Sequence, residues 1–197
     1  MKPKASKNHE FTLGRVLYDM AVVFIGVFVA LLLDQHWEEL KEQETTSESL
    51  SSIQQELLLN RDELIAKSEY HLRVSPLAFD ALKSLEAGAL YAEAPWLEGV
   101  KYPVVRTASF TTALQIGTFN QVSPALTATV NDAYQCFDQL SNLTNAYLPA
   151  LAETKYNDGP RFFNIIGFAT ASLGSTEKNC IAKITVADAA IQQYLGE

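Results

Sequence analysis

From Met20 to Leu33 the chain runs MAVVFIGVFVALLL, fourteen residues with no charge and no strongly polar group. As a helix this run is about 21 Å long, short of a bilayer core of roughly 30 Å. Extending it back to Leu13 gives about 31 Å, enough to span. The extension takes in Arg15 and Asp19, which sit four residues apart and can pair on one helix face. Both fall near the amino end, where long side chains reach the headgroups. Tyr18 on one side, with His36 and Trp37 on the other, suits an interfacial belt. The pattern predicts a cytoplasmic tail over 1–12 and a transmembrane helix over 13–33. A cleaved signal is the first alternative, but Phe28 and Ala30 make a poor cleavage site and Asp19 interrupts the core. A buried helix of a soluble protein is the second.

Beyond the span the period becomes that of amphipathic helices. Leu50, Ile53, Leu57 and Leu64 recur at helical spacing. They predict a long juxtamembrane helix over 34–74 with one apolar face, for a bundle or for a coiled coil with another chain. A break is expected near Thr45–Ser49, because Thr45 with Glu48 and Ser51 with Gln54 have capping-box spacing. Ser75-Pro76 reads as the start of a new helix, opening a helical domain over 75–197 and carried by Leu77, Leu82 and Leu85 until Gly88. Residues 89–106 read as an aromatic loop that folds back over the core. A short helix follows from Thr107 to Ile116, closed by Gly117. Ser123-Pro124 starts the clearest amphipathic helix, with Leu126, Val130, Tyr134, Phe137, Leu140, Thr144 and Tyr147 on one face, ending near Pro149. YNDGP is a turn, RFFNIIGFATASLG a fully buried helix, with an exposed apolar face that docks a partner as the alternative, and a last helix begins near Thr176 with Cys180, Ile184, Ala187, Ile191 and Tyr194. No strand alternation is present, so the fold class is all-α.

Charge adds direction. Lys2, Lys4, Lys7 and Arg15 lie on the amino side of the apolar run, whereas residues 34–197 hold 11 basic and 21 acidic residues. The positive-inside rule then puts the amino end in the cytoplasm and the following domain outside it, periplasmic in a bacterial inner membrane. The net charge of −8 argues against nucleic acid as a partner. Cys136 and Cys180 both fall on core-facing helix positions and are a candidate disulfide outside the cytoplasm, with two buried thiols as the alternative.

Two stretches carry a resemblance. LGRVLYDMAVVFIGVFVALLLDQHWEELKEQE, with Asp19, Trp37, Glu38 and Glu39, resembles the opening of a family of uncharacterised bacterial proteins known as a domain of unknown function. RTASFTTALQIGTFNQVSPALTATVNDAYQCFDQL is similar to that family's later segment. The resemblance implies a single-pass, membrane-anchored helical protein and supplies no mechanism or functional residue.

Candidate chemistry is sparse. His9, His36 and His71 are far apart, and no metal-ligand spacing, nucleophile elbow or phosphate loop occurs. His71 follows Glu69 and could be an acid–base group, but it reads first as a surface histidine near a helix end. No catalytic residue, metal or cofactor is expected. Asp19 is the residue to single out, as an ionisable group in a membrane segment. Gly26 and Ala30 would let a neighbouring helix approach closely. Tyr91, Trp96 and Tyr102 could form a rim for a ligand or partner. The expected role is an accessory or scaffolding subunit that contacts lipid and other membrane subunits or itself. The alternative is a helical ligand-binding domain using the aromatic loop.

Overall fold

Helix α1 spans Leu13–Glu86 without interruption. This computed structural model describes residues 13–89, 94–99, 101–154 and 158–196, with the side chains of 13–15 outside the described set. Among the described residues there is no strand. Three further α-helices follow, α2 (Ala108–Ile116), α3 (Pro124–Glu153) and α4 (Gly159–Gly196), with one 3-10 turn at Thr118–Asn120. The chain divides into two compact units, Met1–Thr45 and Thr46–Glu197.

In the first unit α1 is exposed on every face from Val16 to Thr45. Its apolar part qualifies as a candidate membrane span, with mean hydropathy 2.6 over its most apolar window. The charged part that follows is equally bare.

In the second unit the expected break at Thr45–Ser49 does not form. Thr45 Oγ1 donates back to the Lys41 carbonyl instead of capping a new helix, and Gln54 reaches Asp188 of α4 at 2.6 Å. Nor does a helix begin at Ser75-Pro76, so the boundary expected between 74 and 75 falls inside α1. Pro76 removes one ladder bond, but Val74 and Ala78 on either side are fully buried, and that packing holds the helix through the gap. Ser75 Oγ donates to the Gly167 carbonyl of α4 at 3.1 Å. The helix does stop where expected. Gly88 takes φ +96°, its N–H reaches Leu85 O and the Ala89 N–H reaches Ser84 O, which together form a Schellman closure.

Helix α3 opens as predicted, with Ser123 Oγ accepting from the Leu126 N–H and proline in the first turn. It runs through Pro149 to Glu153, because Leu151 packs beside Phe163 in the second core cluster. Helix α4 is likewise one element, not a buried helix plus a last helix from Thr176. Phe163, Ile166, Ala169 and Leu173 are buried, whereas Phe168 is 56% exposed, so the apolar stretch is one-sided. Gly174, the last residue of the stretch expected to be a separate helix, is a contact inside α4. A Cβ there would lie 2.9 Å from Leu72 Cγ, and one at Gly167 would lie 2.8 Å from Phe79. Small residues let α4 press against α1. Of the YNDGP turn, residues 156–157 lie outside the described set, and Gly159 and Pro160 already belong to α4.

Pairings fix the directions. Gln54 meets Asp188, His71 meets Glu177 and Phe79 meets Gly167, so α1 and α4 are antiparallel. Glu56 meets Tyr134, while Leu82 and Leu85 share a cluster with Leu151, so α1 and α3 run the same way. A parallel neighbour needs a crossover, and the segment from Glu86 to Pro124 is that crossover. Leu50, Ile53, Leu57 and Leu64 of α1 join Val130, Phe137 and Leu140 of α3 and Ile184 and Ile191 of α4 in the main core.

Cys136 of α3 and Cys180 of α4 are joined by a disulfide, with Cα atoms 5.5 Å apart. The bond closes a loop of sequence separation 44, which on chain-entropy grounds is worth about 4 kcal/mol against the unfolded state. Replacing both cysteines by serine is expected to lower unfolding free energy by up to about that amount in urea titrations. The oxidised protein should show no thiol reactive to maleimide until it is reduced and denatured.

Candidate functional site

The inner face of α1 carries more polar groups than a bundle helix needs. Glu56, Asn60, Ser68, His71 and Ser75 are all buried, and Tyr70 lies among them. Most have an assigned partner on the crossover or on α4.

The crossover lies back along α1 as a strap. Tyr70 Oη accepts from the Glu98 N–H at 3.0 Å and donates to the Gly99 carbonyl. Further along, Asn60 makes two bonds to the backbone of Arg106, its Nδ2 donating to the carbonyl and its Oδ1 accepting from the N–H, each at 2.8 Å. Glu56 then caps α2 from a distance. Thr107 supplies no side-chain cap, and the Glu56 carboxylate accepts from Ser109 N at 2.8 Å and Phe110 N at 3.4 Å. A negative group at the positive end of a helix is favourable there. Tyr134 Oη donates to the same carboxylate at 2.7 Å. An extended segment has no ladder of its own, so these side chains stand in for one.

The most buried polar contact joins α1 to α4. His71 Nδ1 lies 3.0 and 2.9 Å from the two carboxylate oxygens of Glu177, and both side chains have 0% exposure. With Glu177 as a carboxylate, which only accepts, Nδ1 is the donor of this contact. His71 Nε2 is buried without a hydrogen-bond partner. The surface-histidine reading is therefore wrong. With both side chains buried, the pair acts as an interhelical tie.

A groove of about 470 Å³ opens elsewhere, between α2, the 3-10 turn and the start of α3. Phe110, Leu114, Phe119, Val122, Pro124 and Ala128 line it, with Asn120, Thr127 and Asn131 as its polar groups. Phe110 stacks on Tyr134 with ring centres 4.1 Å apart and joins this groove to the Glu56 carboxylate behind it.

The residues singled out in the sequence fall as follows. Asp19, Gly26 and Ala30 are exposed on α1, as are Tyr18, His36 and Trp37, and a Cβ on Gly26 would meet nothing within 4 Å. The Arg15 side chain and Tyr91 lie outside the described residues. Trp96 packs near Phe163 in one core cluster and Tyr102 packs against the other. Neither lines the 470 Å³ groove. Among the described residues no three of His, Cys, Asp and Glu gather to hold a metal. Glu56, Asn60 and Glu177 were not anticipated. The signal for the tie was the seven-residue step Leu50, Leu57, Leu64, His71, Ala78, which puts the histidine on the core face, and on α4 the step Phe163, Thr170, Glu177, Ile184, Ile191. Compared with known proteins, the chain matches no family model, no curated protein and no solved structure.

Removing one member of the tie leaves the other buried and unpaired. His71→Ala and Glu177→Ala are each expected to cost about 3–5 kcal/mol in denaturant titrations. The double change His71→Leu with Glu177→Leu should cost less than the sum of the two. High pH tests the other buried cluster. Burial, then the hydrogen bond to Glu56 and its charge, hold the Tyr134 hydroxyl well above the usual tyrosine range, and burial raises Tyr102. The folded state keeps these protons where the unfolded chain loses them, so stability is full below about pH 10 and falls above it. Tyr134 alone contributes a slope that is about 0.7 kcal/mol per pH unit at pH 10 and approaches about 1.4 above it. Unfolding curves from pH 9 to 11 should show this slope, reduced in Tyr134→Phe.

Proposed function

We propose that this chain is a single-pass, membrane-anchored accessory or scaffolding subunit of a membrane assembly, acting through protein contacts. The observation that carries the reading is the run from Val16 to Leu33, apolar except for Asp19 and exposed on every face. That much bare apolar surface has a natural solvent in lipid chains. The proposed setting is a bacterial inner membrane, with the amino end cytoplasmic and Thr46–Glu197 on the periplasmic side. The uneven charge supports this orientation, and the disulfide suits an oxidising compartment.

A second reading, a ligand-binding domain, moves from the aromatic strap to the 470 Å³ groove, whose size and apolar lining suit a small neutral ligand.

Native protein extracted in mild detergent should travel in a particle containing other membrane proteins, read by mass and composition. A particle made of this chain alone would remove the accessory reading and favour the groove. In inside-out and right-side-out vesicles, protease should cut the 46–197 bundle only from the outer side. Cleavage from the cytoplasmic side would reverse the proposed orientation.

A further inference from the structure

The bare part of α1 is patterned. Asp19, Val23, Gly26, Ala30, Leu33, Trp37 and Leu40 follow at alternating steps of four and three, the spacing of a seam between two parallel helices. All seven are exposed. The seam does not end with the apolar run. Leu33 is 65% exposed, Trp37 71% and Leu40 48%. Trp37 lies about 6 Å of helix past Leu33, and Leu40 about 10 Å, so lipid chains that cover Leu33 do not cover Leu40.

The charged residues take the complementary positions. With Trp37 and Leu40 on the seam, Glu38, Glu39 and Glu42 fall on the outward side of the helix, and the immediate flanks hold Asp34, His36, Lys41 and Gln43. Between Leu33 and Leu40 an acidic helix can thus meet an identical one without setting Glu38, Glu39 and Glu42 against themselves, and Glu44, four residues past Leu40, closes the seam. Gly26 and Ala30 stand where two helices come closest inside the lipid, and the large Leu33, Trp37 and Leu40 fill the seam where it leaves. The stretch from Asp34 to Thr45 also needs such support. It has no packed face, and Asp34 and Glu38 repel at four-residue spacing. Helices of this kind draw stability from packing.

We propose that two copies of this chain pair in parallel along the Asp19–Leu40 seam of α1. The pairing rests on the membrane-anchor reading, because a shared direction of insertion is what makes the copies parallel. By symmetry it also sets Asp19 against Asp19 of the second copy. The second copy is then one partner of the scaffold proposed above.

Cysteine crosslinking in intact membranes tests this with the full-length chain. The described residues contain no free cysteine, since Cys136 and Cys180 are bonded to each other. Single changes Trp37→Cys and Leu40→Cys should crosslink to a dimer of the chain roughly fivefold or more above Glu38→Cys, Glu39→Cys and Glu42→Cys, because a disulfide needs Cα atoms within about 7 Å. Gly26→Leu should reduce the Leu40→Cys crosslink severalfold. Equal crosslinking at all five positions overturns the proposal, as does a product of Trp37→Cys or Leu40→Cys whose mass shows a different protein. Alkaline carbonate washing of the same membranes separates the two readings. Protein that stays in the pellet without seam-specific crosslinks sinks the pairing alone, and protein that is washed out sinks the anchor and the pairing together.

Discussion

Two fully buried side chains, His71 and Glu177, set the register of this bundle. Apolar residues can slide past one another at modest cost, but a buried imidazole and a buried carboxylate tolerate only the arrangement in which they meet. Their contact fixes which turn of α1 faces which turn of α4. The close approach at Gly174, about one turn before Glu177, needs a glycine, because a Cβ there would strike Leu72. The disulfide then holds α3 to α4 from the other side. Apolar burial supplies most of the driving force, and these polar and covalent ties choose among the ways of achieving it.

The same logic governs the crossover. Its backbone has no sheet or helix to complete, so α1 supplies partners at Tyr70, Asn60 and Glu56 in descending order. Glu56 serves two elements at once, capping α2 and accepting from Tyr134 of α3. The apolar groove between α2 and α3 therefore owes its walls to a carboxylate on a third helix.

Local signals were the legible part of this sequence. The apolar run, the Leu50–Leu64 stripe, the Gly88 and Gly117 stops and the Ser123-Pro124 start are written within a few residues of where they act. Pro76, Pro149 and Gly174 misled for one reason. Each carries a local preference against helix that tertiary packing overrides, and the packing partners, Ala78, Leu151 and Leu72, act through contacts remote in sequence. The polar ties were hidden by distance. Glu177 lies 106 residues from His71, and nothing near either residue names the other. What the sequence did offer was a seven-residue step that continues through a histidine, and a polar residue in step with a core stripe is better read as buried and partnered than as surface.

The order of synthesis gives the tie a further meaning. A chain made from the amino end completes α1 first, and its inner face, with Glu56, Asn60 and His71 among the leucines, has no cover until later elements emerge. The last of these partners is 106 residues away, roughly 5–20 s of ribosomal time. During that interval α1 presents an apolar stripe studded with unpaired polar groups. The nascent chain is thus most exposed to misassociation just before its final helix arrives, and the helix that ends the exposure also carries Cys180, the second half of the disulfide.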